Sequence, residues 1–87
     1  MHEASLMKNL MRQIDAVAQQ ENAKRVTGVA VWLGALSHMT EAHFGEHFRQ
    51  ASAGTNAEGA RITATLSDDT THANAQDVLL ESVEVET

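Results

Sequence analysis

The stretch RVTGVAVWLGAL, residues 25–36, decides the fold, because it is rich in β-branched residues and apolar at nearly every position. Alternation of side chains along a strand divides it into two faces, one with Thr27, Val29, Val31 and Leu33 and the other with Val26, Gly28, Ala30 and Trp32. A strand that is apolar on both faces is predicted to be buried within the sheet. Gly28 inside it predicts a bulge or a close approach by another backbone.

Two amphipathic helices are predicted on either side of this strand. The first covers about residues 5–22 with Ser5 as N-cap, and its apolar residues recur at steps of three and four: Leu6, Leu10, Ile14 and Val17. The second runs from Glu41 to about Ser52, with Ser37 or Thr40 as its cap. Its apolar stripe consists of Phe44, Phe48 and Ala51.

Two more strands are predicted, at residues 61–67 and 77–86. The inward side chains are expected to be Ile62, Ala64 and Leu66 in one and Leu79, Val83 and Val85 in the other, with a bulge or twist near Glu81. The polar residues 68–76 between them are interpreted as a flexible loop that closes a hairpin. The prediction is an α+β fold in the order α-β-α-β-β, a single domain (1–87) with two helices on one face of a three-stranded, mostly antiparallel sheet.

Composition excludes several classes of function. The 87 residues contain no Cys and carry a net charge of −6, so disulfides, cysteine zinc sites and a basic nucleic-acid surface are not expected. The first twenty residues lack the unbroken apolar run of a signal peptide or membrane-spanning helix, which predicts a soluble protein that is not cleaved at its start and does not bind membranes. The lack of Cys fits the expected location, the cytoplasm. No nucleophile with a nearby base and no phosphate-binding glycine loop is evident, so an enzyme is not expected.

The chain starts with Met1-His2-Glu3. Because His2 is large, Met1 is expected to be retained with a free amine. The amine, deprotonated backbone nitrogens and the His2 imidazole could surround a metal ion in one plane, an arrangement that suits Ni(II) or Cu(II), and Glu3 adds an oxygen nearby. Taken alone the motif is a weak indication of a metal site, since a His at position two can also be an accident or an expression remnant.

Further histidines offer a second possible metal site. His43 and His47 are spaced i, i+4 on the predicted second helix, so both imidazoles share a face and could chelate a divalent ion. His38 and Glu41 are nearby in sequence and are possible additional ligands. The simpler interpretation is that these are solvated histidines at the edge of the apolar stripe.

Four segments together resemble one family. They are MHEASLMKNLM (1–11), AKRVTGVAVWLGALSHMTEA (23–42), GTNAEGARI (54–62) and SVEVE (82–86). In order and approximate spacing they resemble the HypA/HybF family of hydrogenase nickel-incorporation proteins, over nearly the whole chain. The resemblance implies a metallochaperone that binds Ni(II) through Met1, His2 and Glu3 and passes it to a [NiFe]-hydrogenase large subunit, or in some organisms to urease, together with a GTPase partner.

The sequence departs from the family pattern at two places. Family members commonly have an acidic residue at the position corresponding to Thr40, and here Glu41 is the neighbouring substitute. They also carry a zinc module with two Cys-x-x-Cys pairs between the last two strands, where residues 68–76 stand here, so no zinc site is expected. These departures leave open a second interpretation, a HypA-like scaffolding module that docks on a hydrogenase subunit or maturation factor without metal.

Overall fold

The computed structural model describes residues 3–87 and has the predicted order of elements. These are α1 (Glu3–Gln20), β1 (Arg25–Leu33), α2 (Glu41–Ser52), β2 (Arg61–Leu66) and β3 (Val78–Glu86). The α+β class with two helices and three strands is therefore confirmed. None of the helices within the described residues is both long and apolar enough to cross a membrane.

Helix α1 begins and ends at different residues from those predicted. It starts at Glu3, so Ser5 lies inside the first turn and is not its N-cap. It ends where Asn22 adopts a left-handed backbone with φ of 53°, a conformation that Asn tolerates better than most residues. The amide of Ala23 then donates to the carbonyl of Ala18 at 2.9 Å and satisfies a helix C-terminal acceptor.

The sheet is mixed, with strand order β2-β1-β3. Strand β1 pairs parallel to β2 on one side and antiparallel to β3 on the other. Helix α2 connects β1 to β2. The predicted hairpin between β2 and β3 is wrong because β1 lies between them. The two apolar faces of β1 fit this central position. The alternation of side chains along β1 does not determine which strands will pair with it.

Two irregularities in the β1–β3 pairing decide which side chains enter the core. Thr27 has no pairing partner on β3, because Val26 pairs with Val85 and Gly28 with the next residue, Glu84. This irregularity confirms the bulge expected at Gly28. Because of this bulge, Val26 is buried together with Val29, Val31 and Leu33, contrary to the predicted division of faces.

The second irregularity falls at Glu81, as predicted, between the pairs Ala30–Ser82 and Val31–Leu80. It leaves Val78 and Leu80 packed with the core alongside Val83 and Val85. Leu79 is 39% exposed, so its predicted inward position is wrong.

The helices cover one face of the sheet and enclose a single apolar cluster. Helix α1 contacts α2 and β3, while α2 contacts β2. The aromatic pair predicted for α2 is fully enclosed, with Phe44 and Phe48 at 0% and 1% exposure and ring centres 6.1 Å apart. Leu66 at the end of β2 is 58% exposed, so it does not join this core as expected.

Candidate metal centre

The start of the chain lies mostly outside the described residues. Met1 and His2, two of the three residues predicted to bind nickel, fall outside them, and Glu3 is the first residue of α1. Helix α1 is anchored behind this point by Met7 and Leu10, which are 5% and 2% exposed. A ligand set at the chain start would therefore precede a helix that is fixed against the core.

The first turns of α1 border a groove shared with α2. The groove is about 520 Å³ in volume and its lining residues come from both helices: Ala4, Met7, Lys8, Met11, His47, Gln50 and Ala51. His47 is half-buried there, whereas His43, one turn earlier on α2, is exposed. The groove thus places one histidine of α2 beside the beginning of α1.

The His43 and His47 rings lie against each other, as their spacing predicted. Their centres are 4.5 Å apart and their planes are tilted by 44°. Each histidine directly precedes a buried phenylalanine, Phe44 or Phe48, which fixes the helical backbone beneath the pair. The arrangement brings two imidazoles together on a rigid element.

His38 and Glu41 do not join this pair. His38 is exposed on the segment between β1 and α2, with a left-handed backbone at φ of 59°. Glu41 is exposed in the first turn of α2. Within residues 3–87, no group of three or more His, Asp or Glu side chains is placed to hold a metal ion.

Thr40, at the position where the resemblance predicts an acidic residue, caps the N-terminus of α2. Its backbone is extended, with φ of −92° and ψ of 162°, and its hydroxyl oxygen accepts a hydrogen bond from the His43 amide at 3.1 Å. This is the N-cap of α2, one of the two caps predicted from the sequence.

The segment 68–76 is docked on the end of β1, which sequence reasoning missed. Ala75 is 4% exposed and its carbonyl accepts from the Leu36 amide at 2.7 Å. The His72 ring lies 4.8 Å from that of Trp32, and its Nδ1 accepts from the Asn74 amide at 2.9 Å. The sequence feature that could have indicated this docking is Gly34, because its lack of a side chain leaves room for the backbone of Asn74 and Ala75.

A second set of contacts orders the outer part of the same loop. Asp69 Oδ1 accepts hydrogen bonds from the Thr71 hydroxyl at 2.8 Å and the Thr71 amide at 3.0 Å. These bonds favour the ionised carboxylate and lower the pKa of Asp69 below 3.8. The loop is therefore held by local hydrogen bonds without a metal ligand set among its described side chains.

Comparison with known proteins agrees with this fold. The solution structure of the Ni metallochaperone HypA from Helicobacter pylori matches with a TM-score of 0.80 at 17% identity, covering 99% of this chain and 98% of that one. The hydrogenase maturation factor HypA of Thermococcus gammatolerans is 44% identical over 62 residues, which are 71% of this chain but only 45% of that protein. The family model described as "Hydrogenase/urease nickel incorporation, metallochaperone, hypA" matches residues 1–84. Because that match spans almost all of the sequence, the chain belongs to the HypA family.

Proposed function

We propose that this chain is a nickel metallochaperone that binds Ni(II) through the Met1 amine or backbone, His2 and Glu3. The observation that carries the proposal is membership of a nickel-incorporation family over a match that begins at residue 1 and so includes the Met-His-Glu start. An amine, backbone amide nitrogens and an imidazole form the planar nitrogen set that suits Ni(II). Glu3, which follows His2 directly in the sequence, is proposed to supply a carboxylate oxygen to the same ion.

The recipient is proposed to be an enzyme that contains nickel. The family description names hydrogenase and urease, and delivery to a [NiFe]-hydrogenase large subunit with the help of a nickel-insertion GTPase follows from the resemblance. The proposed role takes place in the cytoplasm and has no catalytic step. Residues 68–76 are proposed to replace the zinc module of the family, and the absence of Cys supports this.

Calorimetric titration with Ni(II) tests the proposed site. The protein with its native start is compared with His2→Ala and with a form that carries two extra residues before Met1. Both changes should remove the tight site while far-ultraviolet circular dichroism stays unchanged, because one removes the imidazole and the other converts the amine to an amide. His38→Asn is the matched control, since it removes an exposed imidazole and keeps a residue that tolerates the left-handed backbone. Equal affinity in all four proteins would exclude the N-terminal site.

A second candidate function is a HypA-like scaffold that docks on a hydrogenase subunit or maturation factor without metal. It is favoured by Thr40, which caps α2 at the position where the resemblance predicts an acid, and by the lack of the cysteines of the family's zinc module. Binding of the native protein and of His2→Ala to a purified hydrogenase large subunit, with and without Ni(II), separates the two. Binding that is unaffected by both the substitution and nickel supports the scaffold.

A further inference from the structure

Exposed leucines lie together at one end of the sheet. In the part of the chain that the structure describes, the large apolar side chains with substantial exposure are Leu36, Leu66 and Leu79, at 39%, 58% and 39%. Leu36 follows β1, Leu66 is the last residue of β2, and Leu79 is the second residue of β3. Because β1 is parallel to β2 and antiparallel to β3, these positions share one end of the sheet, here called the leucine end.

Two of the leucines border grooves that adjoin each other. One groove has a volume of about 260 Å³, and its lining includes Leu66 and Met39. The other has a volume of about 350 Å³, and its lining includes Leu36 and Gln76. His38 lines both grooves, so they meet at this residue. Single exposed leucines are common on protein surfaces, but two that flank a continuous depression form an apolar binding surface.

Leu79 belongs to the opposite face of the sheet. Its neighbours Val78 and Leu80 pack with the core, so the alternation along β3 turns Leu79 toward the face that the helices leave uncovered. It pairs there with Trp32. Leu79 is therefore as exposed as Leu36 but does not line either groove, which makes it a matched control for the two leucines that do.

The charge at the leucine end has one sign. Residues 26–48 and 62–87, which include the carboxyl ends of β1 and β2 and the whole of β3, contain no Lys or Arg. Glu41 in the first turn of α2 is exposed, as are Asp68 and Asp69 directly after β2. The apolar grooves are thus bordered by carboxylates without a basic side chain in these stretches, an arrangement that attracts cations and repels anions.

From these observations we propose that the two grooves, with Leu36 and Leu66 at their borders, dock a protein segment that combines apolar and basic side chains. The leucines supply apolar area for the docked segment to bury, and the carboxylates select Lys or Arg around it, because complementary charge governs the choice of partner. A second copy of this chain is disfavoured because it would place carboxylates against carboxylates. Nucleic acids and anionic membranes are repelled for the same reason.

The location of the surface indicates its use. Helix α1 ends at Gln20, shortly before β1 begins at Arg25, and it packs against β3 and α2. It therefore runs back along the sheet, and its 18 residues cover roughly 27 Å, close to the length of β1. This direction places Glu3 toward the leucine end, so a docked segment would lie near the proposed nickel ligands. That use rests on the proposed nickel function, whereas the docking surface does not.

Short synthetic peptides test the surface on the full ¹⁵N-labelled protein without metal. One peptide alternates leucine and lysine, a second has glutamate in place of lysine, and a third has serine in place of leucine. Only the leucine–lysine peptide should shift the amide signals of residues 35–41 and 66–69, and its affinity should fall as NaCl rises from about 50 to about 300 mM, because salt screens exposed charges. Equal binding of the glutamate or the serine peptide, shifts centred elsewhere, or no binding of any peptide would overturn the proposal.

Matched variants separate the grooves from general attraction to an acidic protein. Leu36→Ser and Leu66→Ser should each weaken binding of the leucine–lysine peptide by about fivefold or more, since burial of a half-exposed leucine contributes roughly that much. Leu79→Ser should bind like the native protein. Asp68→Asn should weaken binding by about twofold, whereas Glu58→Gln, which removes an exposed charge before β2 at the other end of the sheet, should not. Equal losses in the groove variants and the controls would contradict a specific surface.

Two further measurements address the other occupant and the nickel site. Analytical ultracentrifugation of the protein alone should show a monomer, and a dimer that Leu66→Ser dissociates would assign the grooves to a second copy and overturn the proposal. Peptide binding by His2→Ala should equal that of the native protein. Failure of the nickel proposal would therefore leave the peptide titration unchanged, and failure of docking would leave the nickel titration unchanged.

Discussion

Among the glycines, Gly34 is the one at which an added methyl group would meet the closest neighbouring atoms. A Cβ there would lie 2.3 Å from the Ala75 carbonyl oxygen and 2.7 Å from that of Asn74. Both contacts are with backbone, which cannot rotate away as a flexible side chain could. The Gly34 amide also donates to the Asp77 carbonyl at 2.9 Å, so the two segments are held at this short separation.

We therefore expect Gly34→Ala to lower the free energy of unfolding by about 1–3 kcal/mol, the usual cost of forcing extra volume into a packed site. Gly45→Ala is the matched comparison, because a Cβ there meets nothing closer than 4.0 Å and the residue lies inside α2. That change should raise stability by roughly 0.5–1 kcal/mol through the helix preference of Ala. Urea unfolding measures both, and equal effects of the same sign would contradict the packing argument.

Thr40 contributes to α2 as an element, because it provides a hydrogen-bond acceptor for the exposed first turn. Thr40→Ala removes the oxygen that accepts from the His43 amide at 3.1 Å and should cost about 1 kcal/mol. Thr40→Asp keeps an acceptor and adds negative charge at the positive end of the helix dipole, so stability should be retained or raised by a few tenths of a kcal/mol. Thermal unfolding of the three proteins provides the measurement. A loss in Thr40→Asp equal to that in Thr40→Ala would show that the lost stability does not come from the missing hydrogen-bond acceptor.

The elements also explain which features of the fold could be predicted from the sequence. Helix α2 is specified locally by Thr40 and by the spacing of Phe44 and Phe48, and both ends were placed correctly. Gly28 predicted a bulge or a close backbone approach, and the adjacent apolar residues Leu79 and Leu80 predicted a bulge or twist. The pairing of β1 with β3 is irregular at both places. The side of the sheet reached by Val26 could not be predicted, because a bulge reverses the alternation and its exact position depends on the partner strand.

Strand partners and loop docking depend on contacts between distant residues. The pairing of Val29 with both Ile62 and Val83 joins segments more than thirty residues apart, which no local pattern specifies. Ala75 gave no signal as a core residue, because it is small and lies in a polar segment. For the candidate site, the His43–His47 contact followed from helical spacing alone, whereas its proximity to the beginning of α1 required the packing of two helices.

At the scale of the whole molecule, the segment between β2 and β3, which stands where the family pattern places a zinc module, is held by hydrogen bonds and packing contacts. Ala75 is buried, and its carbonyl accepts a hydrogen bond from the Leu36 amide, while the Gly34 amide donates to the Asp77 carbonyl. The Trp32 ring lies against the His72 ring. The core is enclosed by apolar side chains from both helices and all three strands. None of these described contacts requires a metal ion, so the free energy of folding should not depend on zinc.

We accordingly expect a chelator such as EDTA to leave the thermal midpoint of the purified protein unchanged. A structural zinc site contributes directly to folding, so its removal would lower the midpoint substantially. Ni(II) should raise the midpoint only by the mass-action contribution of a bound ligand, about 2.7 kcal/mol in free energy at a concentration one hundred times its Kd. The rise should be smaller in His2→Ala if the N-terminal site accounts for it. Differential scanning calorimetry with and without each additive tests this, and a large drop with EDTA would reveal a structural metal and contradict the zinc-independent fold.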